Sequence, residues 1–463
     1  MIRRCCVSLL AVLGAVAAAA AGDFPLTFRT IPAKDVMAFG GGSGSYGMLS
    51  LTKPAGLKKE PKAVSAHALY GQCRESRDSA AFLFRLDESK GDGKGYDRLI
   101  VDMNQNGDLT DDPVIERAVL SKERKDAPPD QVLWGPIPAP EGQKIAGGRP
   151  VYFAQTYIFN GELLRRDLGT RNANIPIGQL RLKAGWYLDA TVELNGVKQK
   201  MGVYDANSDL RLGEGPQAVT YTNRGEKLWY FTDGDSLLVD ADGSGTFDND
   251  VFQSESCAFG PIVYLGATPY KVALAADNTS LRVEPWTEAL AEVALVPHGD
   301  QVRSVTLAWE QPDASWQLIR AGTADGKIKV PPGNYRLYAC DLLGKAALRE
   351  QVMASGYQRT PQKPVSFAAD KGNSLPCGAP LEIKVTAEKA KPRLPGFLSR
   401  ETTDSKVDSE FELSVDANVV GAGGEVYSTY LKKEKSWERP PKPAFTIADA
   451  QGKKVKDGNL EYG

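Results

Sequence analysis

Short runs in which apolar and polar residues alternate recur along most of the chain. Such alternation predicts β-strands buried on one face, because successive side chains of a strand point to opposite sides. Turn signals such as Asn195-Gly196 and Pro332-Gly333 separate the runs. We therefore predict a mainly β, multi-domain fold, with strands within residues 80–88, 97–103, 187–195, 199–204, 303–309, 327–339, 381–386 and 410–415.

Changes in this pattern indicate where one domain ends and the next begins. We predict a β-rich domain over residues 23–288, a β-sandwich module over 289–391 and an Ig-like β-sandwich module over 392–463, preceded by a linker at 387–396. Residues 286–296 (WTEALAEVALV) fit a short helix and a strand about equally well.

The stretch DGKIKVPPGNYRL at 325–337 joins two apolar strands through a Pro-Pro-Gly corner. It resembles the corresponding stretch of prealbumin-like and carboxypeptidase-regulatory-like modules. This likeness implies a β-sandwich for the region that contains it.

The N-terminus indicates where the protein is sent. Residues 1–22 begin with MIRR, continue with an apolar run and end in small residues, which is typical of a secretory signal peptide cleaved after Ala21 or Gly22. We therefore predict an exported protein of the periplasm, cell surface or extracellular medium, with no membrane span after signal cleavage.

Four cysteines remain after the predicted cleavage. An even number in an oxidising compartment favours two disulfides. We predict the pairs Cys340–Cys377 and Cys73–Cys257, because each pair then stays within one predicted domain. Free buried thiols are the alternative.

Composition excludes several classes of function. The 463 residues include 56 Lys and Arg against 58 Asp and Glu, a net charge of −2. A nucleic-acid-binding protein needs a basic excess or a basic surface, so no nucleic-acid partner is expected. The two histidines, His67 and His298, are too few for a His-rich zinc site.

The chain contains three acidic loops, the first at 102–112, the second at 205–214 and the third at 240–250. The first and third carry the clearest chemical signal. Each follows an apolar run and places oxygen-bearing side chains at its first, third, fifth and ninth positions, with glycine at the sixth. The pattern resembles EF-hand and dockerin calcium loops, whose alternate oxygens converge on one hard cation. The likeness implies Ca²⁺ ligands at Asp102, Asn104, Asn106 and the Asp108 carbonyl, and at Asp240, Asp242, Ser244 and the Thr246 carbonyl. Thr110 and Asp248, at the ninth positions, would bind directly or through water.

Both loops depart from the EF-hand pattern at their ends. Pro113 and Val251 replace the glutamate of the twelfth position, and Asp112 or Asp250, one place earlier, could supply that ligand instead. The flanking runs read as strands, so we expect strand–loop geometry rather than helix–loop–helix.

The second loop, residues 205–214, shares only part of the pattern. Leu210 stands where glycine belongs, and Arg211 adds a positive charge. The loop is either a degenerate site or a partner of Asp240. Its candidate ligands are Asp205, Asn207 and Asp209.

A wider likeness covers most of residues 25–290. The segments 84–113, 202–214 and 235–248 are similar to segments of uncharacterised secreted proteins of planctomycete-type bacteria. This likeness implies repeated architecture and cation-binding loops, and it carries no known activity.

Together these features predict calcium binding in an exported cell-surface or periplasmic binding or scaffold protein, with a cell-envelope glycan or protein as a candidate partner. Repulsion among crowded carboxylates, which a cation would relieve, argues against plain turns. One alternative is a secreted carbohydrate-active or peptide hydrolase with structural calcium. Another is a structural protein in which the loops are ordinary turns.

Overall fold

The computed structural model describes residues 22–459, apart from the following positions: 38, 40–44, 74–81, 91–94, 119–130, 141, 160–175, 195, 210, 224–225, 233, 248–254, 348–349, 359–361, 391–411, 434–436, 439–441, 443 and 449. The described chain is almost entirely β-structure, with a turn of 3₁₀ helix at Gly299–Gln301. The mainly β fold predicted from the alternating pattern is therefore confirmed.

The strands of the first part of the chain are β1 (Gly22–Pro25), β2 (Thr27–Thr30), β3 (Ser45–Leu49), β4 (Leu69–Cys73), β5 (Phe82–Asp87), β6 (Arg98–Val101), β7 (Gln131–Pro138), β8 (Val151–Ile158), β9 (Gly178–Ala184), β10 (Trp186–Leu194), β11 (Val197–Tyr204), β12 (Ala218–Asn223), β13 (Glu226–Phe231), β14 (Ser236–Val239), β15 (Ser256–Ala258), β16 (Ile262–Leu265), β17 (Thr268–Leu274) and β18 (Ser280–Pro285). Those of the second part are β19 (Ala291–Val296), β20 (Val302–Glu310), β21 (Trp316–Gly322), β22 (Lys327–Val330), β23 (Gly333–Ala347), β24 (Glu350–Tyr357), β25 (Val365–Phe367), β26 (Asn373–Pro376), β27 (Glu382–Ala390), β28 (Glu412–Val420), β29 (Val426–Lys433), β30 (Trp437–Glu438), β31 (Ala444–Ala448) and β32 (Lys454–Asn459).

Four antiparallel sheets of the first part share one hydrophobic core, which runs from Leu26 to Val283 along the chain. Their strand orders are β1-β18-β17-β16, β15-β14-β11-β10-β2, β3-β9-β8-β7 and β4-β5-β6. The β12–β13 hairpin stands apart from this core, because it packs Trp229 and Phe231 against Ala308 of the second part.

A second core fills the part of the chain after residue 290 and also includes Ile262 of β16. It lies beneath a nine-stranded sheet that contains strands β20 to β30 except β22 and β26, and beneath the three-stranded sheet β22-β19-β26. The larger sheet joins β27 to β28, so strands from both sides of residue 392 are neighbours in it. The boundaries at 288 and 392 stay predictions.

The structure resolves the segment that fitted both a helix and a strand. Residues 291–296 form β19, paired on one side with β22 and on the other with β26. Its residues alternate between buried and less buried positions, as expected for a strand with one face on the core. The Pro-Pro-Gly corner separates β22 from β23, as the sequence indicates.

The predicted disulfides are not formed. Cys73, Cys257, Cys340 and Cys377 are all free thiols. Cys73 ends β4, whereas Cys257 lies on β15 of a different sheet, so an even count of cysteines did not imply proximity. Cys340 lies beside Cys377, whose thiol raises the pKa of Cys340 together with burial.

Most of the predicted signal peptide cannot be compared with the structure. The proposed signal peptide lies outside the described residues except for Gly22, which begins β1 and is opposite Val283. Among the described residues, no helix combines the length and the apolar character needed to cross a membrane.

Candidate metal centres

All three acidic loops begin directly after the last residue of a buried strand. β6, β11 and β14 end in apolar residues, and the next residue is Asp102, Asp205 or Asp240 respectively. Each of these aspartates is at most 4 % exposed. The sequence folds this way because an apolar strand end fixes the first carboxylate at the edge of the core, while the polar residues that follow turn towards solvent.

The first loop is organised around Asp102. The backbone N–H of Asn106 donates to Asp102 Oδ1 at 3.1 Å, and that of Gly107 donates to Asp102 Oδ2 at 2.8 Å. Gly107 has a φ of +81°, a left-handed conformation that glycine adopts without strain. The loop therefore curls back on its first carboxylate.

The exposed side chains of the first loop converge on one another. The amide groups of Asn104 and Asn106 donate to Asp111 Oδ2 at 3.2 Å and 2.8 Å. Asn104 Oδ1 accepts the N–H of Asn106 at 3.1 Å, and Asn106 Oδ1 accepts the N–H of Asp108 at 2.6 Å. The structure thus brings the predicted ligands Asp102, Asn104 and Asn106 onto one side of the turn. Asp111, which the EF-hand pattern does not include, joins them.

Asp112 stands closer to the interior than its neighbours. Its Oδ2 atom is buried and has no hydrogen-bond partner. Burial and the nearby carboxylates of Asp102 and Asp111 raise the pKa of Asp112 to about 7. An unpartnered carboxylate oxygen beside two other acids is the environment that a bound cation would stabilise.

The segment 56–59 anchors the first loop from outside. The N–H of Lys58 donates to the Gly107 carbonyl at 2.8 Å, and the N–H of Leu109 donates to the Lys59 carbonyl at 3.0 Å. The Lys59 ammonium lies 2.9 Å from Asp108 Oδ2. Since the Asp108 carbonyl is the expected ligand, the ion pair uses a carboxylate that the cation does not need.

The third loop repeats the geometry of the first. The N–H of Ser244 donates to Asp240 Oδ1 at 2.9 Å, and that of Gly245 donates to Asp240 Oδ2 at 2.8 Å. Gly245 has a φ of +81°, the same as Gly107. Asp242 Oδ1 also accepts the Ser244 N–H, at 2.9 Å, and the hydroxyls of Ser244 and Thr246 lie 3.0 Å apart. Asp248 and Asp250 lie outside the described residues.

Glu255 is a candidate site residue that sequence reasoning missed. Among the described acids, cysteines and histidines, Asp240, Asp242 and Glu255 each offer a ligand atom, and these atoms lie within 4.8 Å of one another. Glu255 Oε1 accepts the N–H groups of Ala241 at 2.7 Å and Asp242 at 3.3 Å. The pairing of β14 with β15 brings Glu255 back to this loop, and a linear loop motif contains no signal for that contact.

The second loop is the most deeply buried of the three. Asp205, Asn207 and Ser208 are at most 3 % exposed. Asp205 Oδ2 accepts the Tyr152 hydroxyl at 2.9 Å, and Asp205 Oδ1 accepts the N–H of Asp209 at 3.1 Å. Ser208, the fourth residue of the loop, has a φ of +62°, close to the +57° of Gln105 at the same position of the first loop. Leu210, which stands where the glycine belongs, lies outside the described residues.

The partner of the second loop is Asp235 rather than Asp240. β11 and β14 are antiparallel, and Tyr204 pairs with Ser236 at this end of the ladder, so the next residues are Asp205 and Asp235. At the other end, the N–H of Asp240 donates to the Lys200 carbonyl at 3.0 Å. Burial and Asp205 raise the pKa of Asp235 to about 9. The expectation that the second loop cooperates with Asp240 is therefore wrong, because the two aspartates lie at opposite ends of the ladder.

The cavities of the described chain bear on the hydrolase alternative. Three cavities have volumes of about 310, 490 and 590 Å³. Each is lined by one acidic residue, Glu255, Glu284 and Glu116 respectively, and by no histidine. The two close carboxylates of a glycoside hydrolase are therefore not found in these cavities. No protein-family model, curated protein or solved structure matches the chain.

Proposed function

We propose that the protein binds calcium ions in its acidic loops and uses them to fix strand ends in an exported binding or scaffold protein of the cell surface or periplasm. The observation that carries this proposal is the shared geometry of two loops far apart in sequence. In both, a buried aspartate accepts the N–H groups of the fifth and sixth residues, and oxygen-bearing side chains follow at alternate positions.

The donor set supports a hard cation. The candidate ligands are carboxylate, amide, hydroxyl and carbonyl oxygens, which calcium prefers, and none of them is a histidine or a cysteine. In the first loop Asp102, Asn104, Asn106, the Asp108 carbonyl, Asp112 and Asp111 would hold the ion. In the third loop Asp240, Asp242, Ser244 and the Thr246 carbonyl would do so. Glu255 would take the role that the glutamate of the twelfth position has in an EF-hand loop.

The consequence of binding is stability rather than catalysis. Each ion would neutralise carboxylates crowded at the end of a short strand and would link that strand to the loop beside it. A site filled at 100 times its Kd adds about 2.7 kcal/mol to the free energy of unfolding. The protein would therefore be rigid outside the cell, where calcium is abundant, and looser where calcium is scarce.

Isothermal titration calorimetry of the mature chain with calcium tests the proposal. Asp102→Asn and Asp240→Asn are each expected to weaken one site by roughly tenfold or more, because each removes a charged ligand. Asp313→Asn is the matched control, since Asp313 Oδ1 accepts the Ser315 N–H at 2.9 Å in an exposed turn outside the loops. Calcium binding that is absent in the unmodified chain, or equal in all variants, would overturn the proposal.

A further inference from the structure

We propose that Asp235, which belongs to none of the three loops, completes a buried site for a hard divalent cation together with Asp205 and Asp209. This inference deepens the calcium-binding function and rests on it for the identity of the ion. The residues of this site are not ligands of the first or third loop, and Asp235 is a ligand that the EF-hand pattern does not contain.

Strand pairing brings the two carboxylates together. Asp205 directly follows β11 and Asp235 directly precedes β14, at the same end of their antiparallel ladder. Residues opposite each other in such a ladder have Cβ atoms about 4.5–5.5 Å apart. The segment after the second loop closes over Asp235, since the Glu214 N–H donates to Asp235 Oδ2 at 2.9 Å and the Asp235 N–H donates to the Glu214 carbonyl at 2.7 Å.

Two oxygens in this cluster lack a donor. Asp235 is 1 % exposed, and its Oδ1 atom is buried without a hydrogen-bond partner. Asp209 Oδ2 is also buried without a partner, although Asp209 Oδ1 accepts the Arg211 N–H at 2.9 Å. Buried polar atoms are nearly always satisfied in folded proteins, so two orphan oxygens in one acidic cluster point to a ligand.

A cation accounts for this arrangement better than a shared proton. One proton donated from Asp235 Oδ1 to Asp209 Oδ2 would satisfy both orphan oxygens, but it would leave two of the three carboxylates charged, whereas a divalent ion would neutralise that charge as well. The nearest basic residue in sequence, Arg211, directs its guanidinium to Glu214 at 3.5 Å and is 67 % exposed. A divalent ion would satisfy Asp205, Asp209 and Asp235 together, with the buried Asn207 in the same turn.

The site is separate from that of the third loop. β14 has four residues between Asp235 and Asp240, a span of about 17 Å at the rise of an extended strand. One short strand would thus carry a different ion at each end, so the two sites can be removed independently.

Calorimetric titration of the mature chain with calcium tests the inference through Asp235→Asn. We expect this variant to bind one calcium ion fewer per chain, Asp240→Asn to lose a different ion, and the double variant to lose both. Asp277→Asn is the control, because Asp277 is exposed in a turn outside the cluster, where its Oδ1 atom accepts the Thr279 N–H at 3.1 Å. A second readout is melting in excess chelator, where Asp235→Asn should melt higher than the unmodified chain, because an amide is neutral in this buried position without taking up a proton.

The outcomes separate this inference from the general function. Unchanged stoichiometry in Asp235→Asn, with losses in Asp102→Asn and Asp240→Asn, would overturn the buried site and leave calcium binding in the outer loops. No calcium binding by the unmodified chain would overturn both. Should Asp235→Asn fail to fold, Asp209→Asn, which changes a less buried residue, must show the same loss of one ion, and unchanged stoichiometry there would overturn the site.

Discussion

Replacing Gly107 by alanine should destabilise the protein more than the same replacement of Gly245. Both glycines hold the sixth position of their loops, and both have a φ of +81°. A Cβ atom at Gly107 would lie 2.5 Å from the Gly56 carbonyl oxygen, whereas one at Gly245 would meet nothing within 4 Å. Comparing the two alanine variants therefore separates the free-energy cost of the left-handed backbone from the cost of the contact with Gly56.

The magnitudes follow from these contacts. An alanine at a left-handed position costs about 1 kcal/mol, which is the whole effect expected for Gly245→Ala. Gly107→Ala must also push away residues 56–59, which stretches the bonds from Lys58 N to Gly107 O (2.8 Å) and from Leu109 N to Lys59 O (3.0 Å). Two backbone hydrogen bonds at about 1 kcal/mol each bring its total to about 3 kcal/mol.

Urea denaturation in excess chelator measures this difference without a contribution from bound calcium. We expect equal m values and a free energy of unfolding about 2 kcal/mol lower for Gly107→Ala than for Gly245→Ala. Equal stability of the two variants would refute the reasoning, because it would show that residues 56–59 do not hold the first loop in place.

Two further predictions concern charge. In chelator, the free energy of unfolding should fall as pH rises from about 4 to about 9. In the folded state the pKa of Asp112 is raised to about 7 and that of Asp235 to about 9. Over this range the folded chain therefore keeps protons that the unfolded chain has released. Urea unfolding at several pH values measures this, and stability that rises across the range contradicts it. Lys59→Met should strengthen calcium binding by about threefold, because it removes a cation 2.9 Å from Asp108 Oδ2. Calorimetry checks this against Lys327→Met, whose ion pair with Glu292 lies outside the loops, and equal affinities would contradict it.

The sequence was informative where the determinants are local. Alternation predicted strands in eight segments, each of which overlaps a strand of the structure. The spacing of Asp102 to Asp108 and of Asp240 to Thr246 located two loops that fold in the same way. Glycine at the sixth position signalled the left-handed turn in both. These features depend on neighbours within a dozen residues, so a linear pattern contains them.

The residues that were missed depend on long-range pairing. Glu255 reaches the third loop through the β14–β15 pair, and Asp235 reaches Asp205 through the β11–β14 pair. Neither strand register can be read from a loop motif, because a shift of one residue would point these side chains elsewhere. The Cys73–Cys257 pair failed for the same reason, since the number of cysteines carries no information on which sheets hold them. Cys377 does lie beside Cys340, but both are free thiols.

The central claim is that calcium holds the strand ends, and thermal unfolding of the mature chain tests it most directly. Scanning calorimetry in saturating calcium and in excess chelator should give a midpoint higher in calcium by about 5–10 °C for each occupied site. Asp102→Asn and Asp240→Asn should each reduce that difference. The same midpoint in calcium and in chelator would contradict the account.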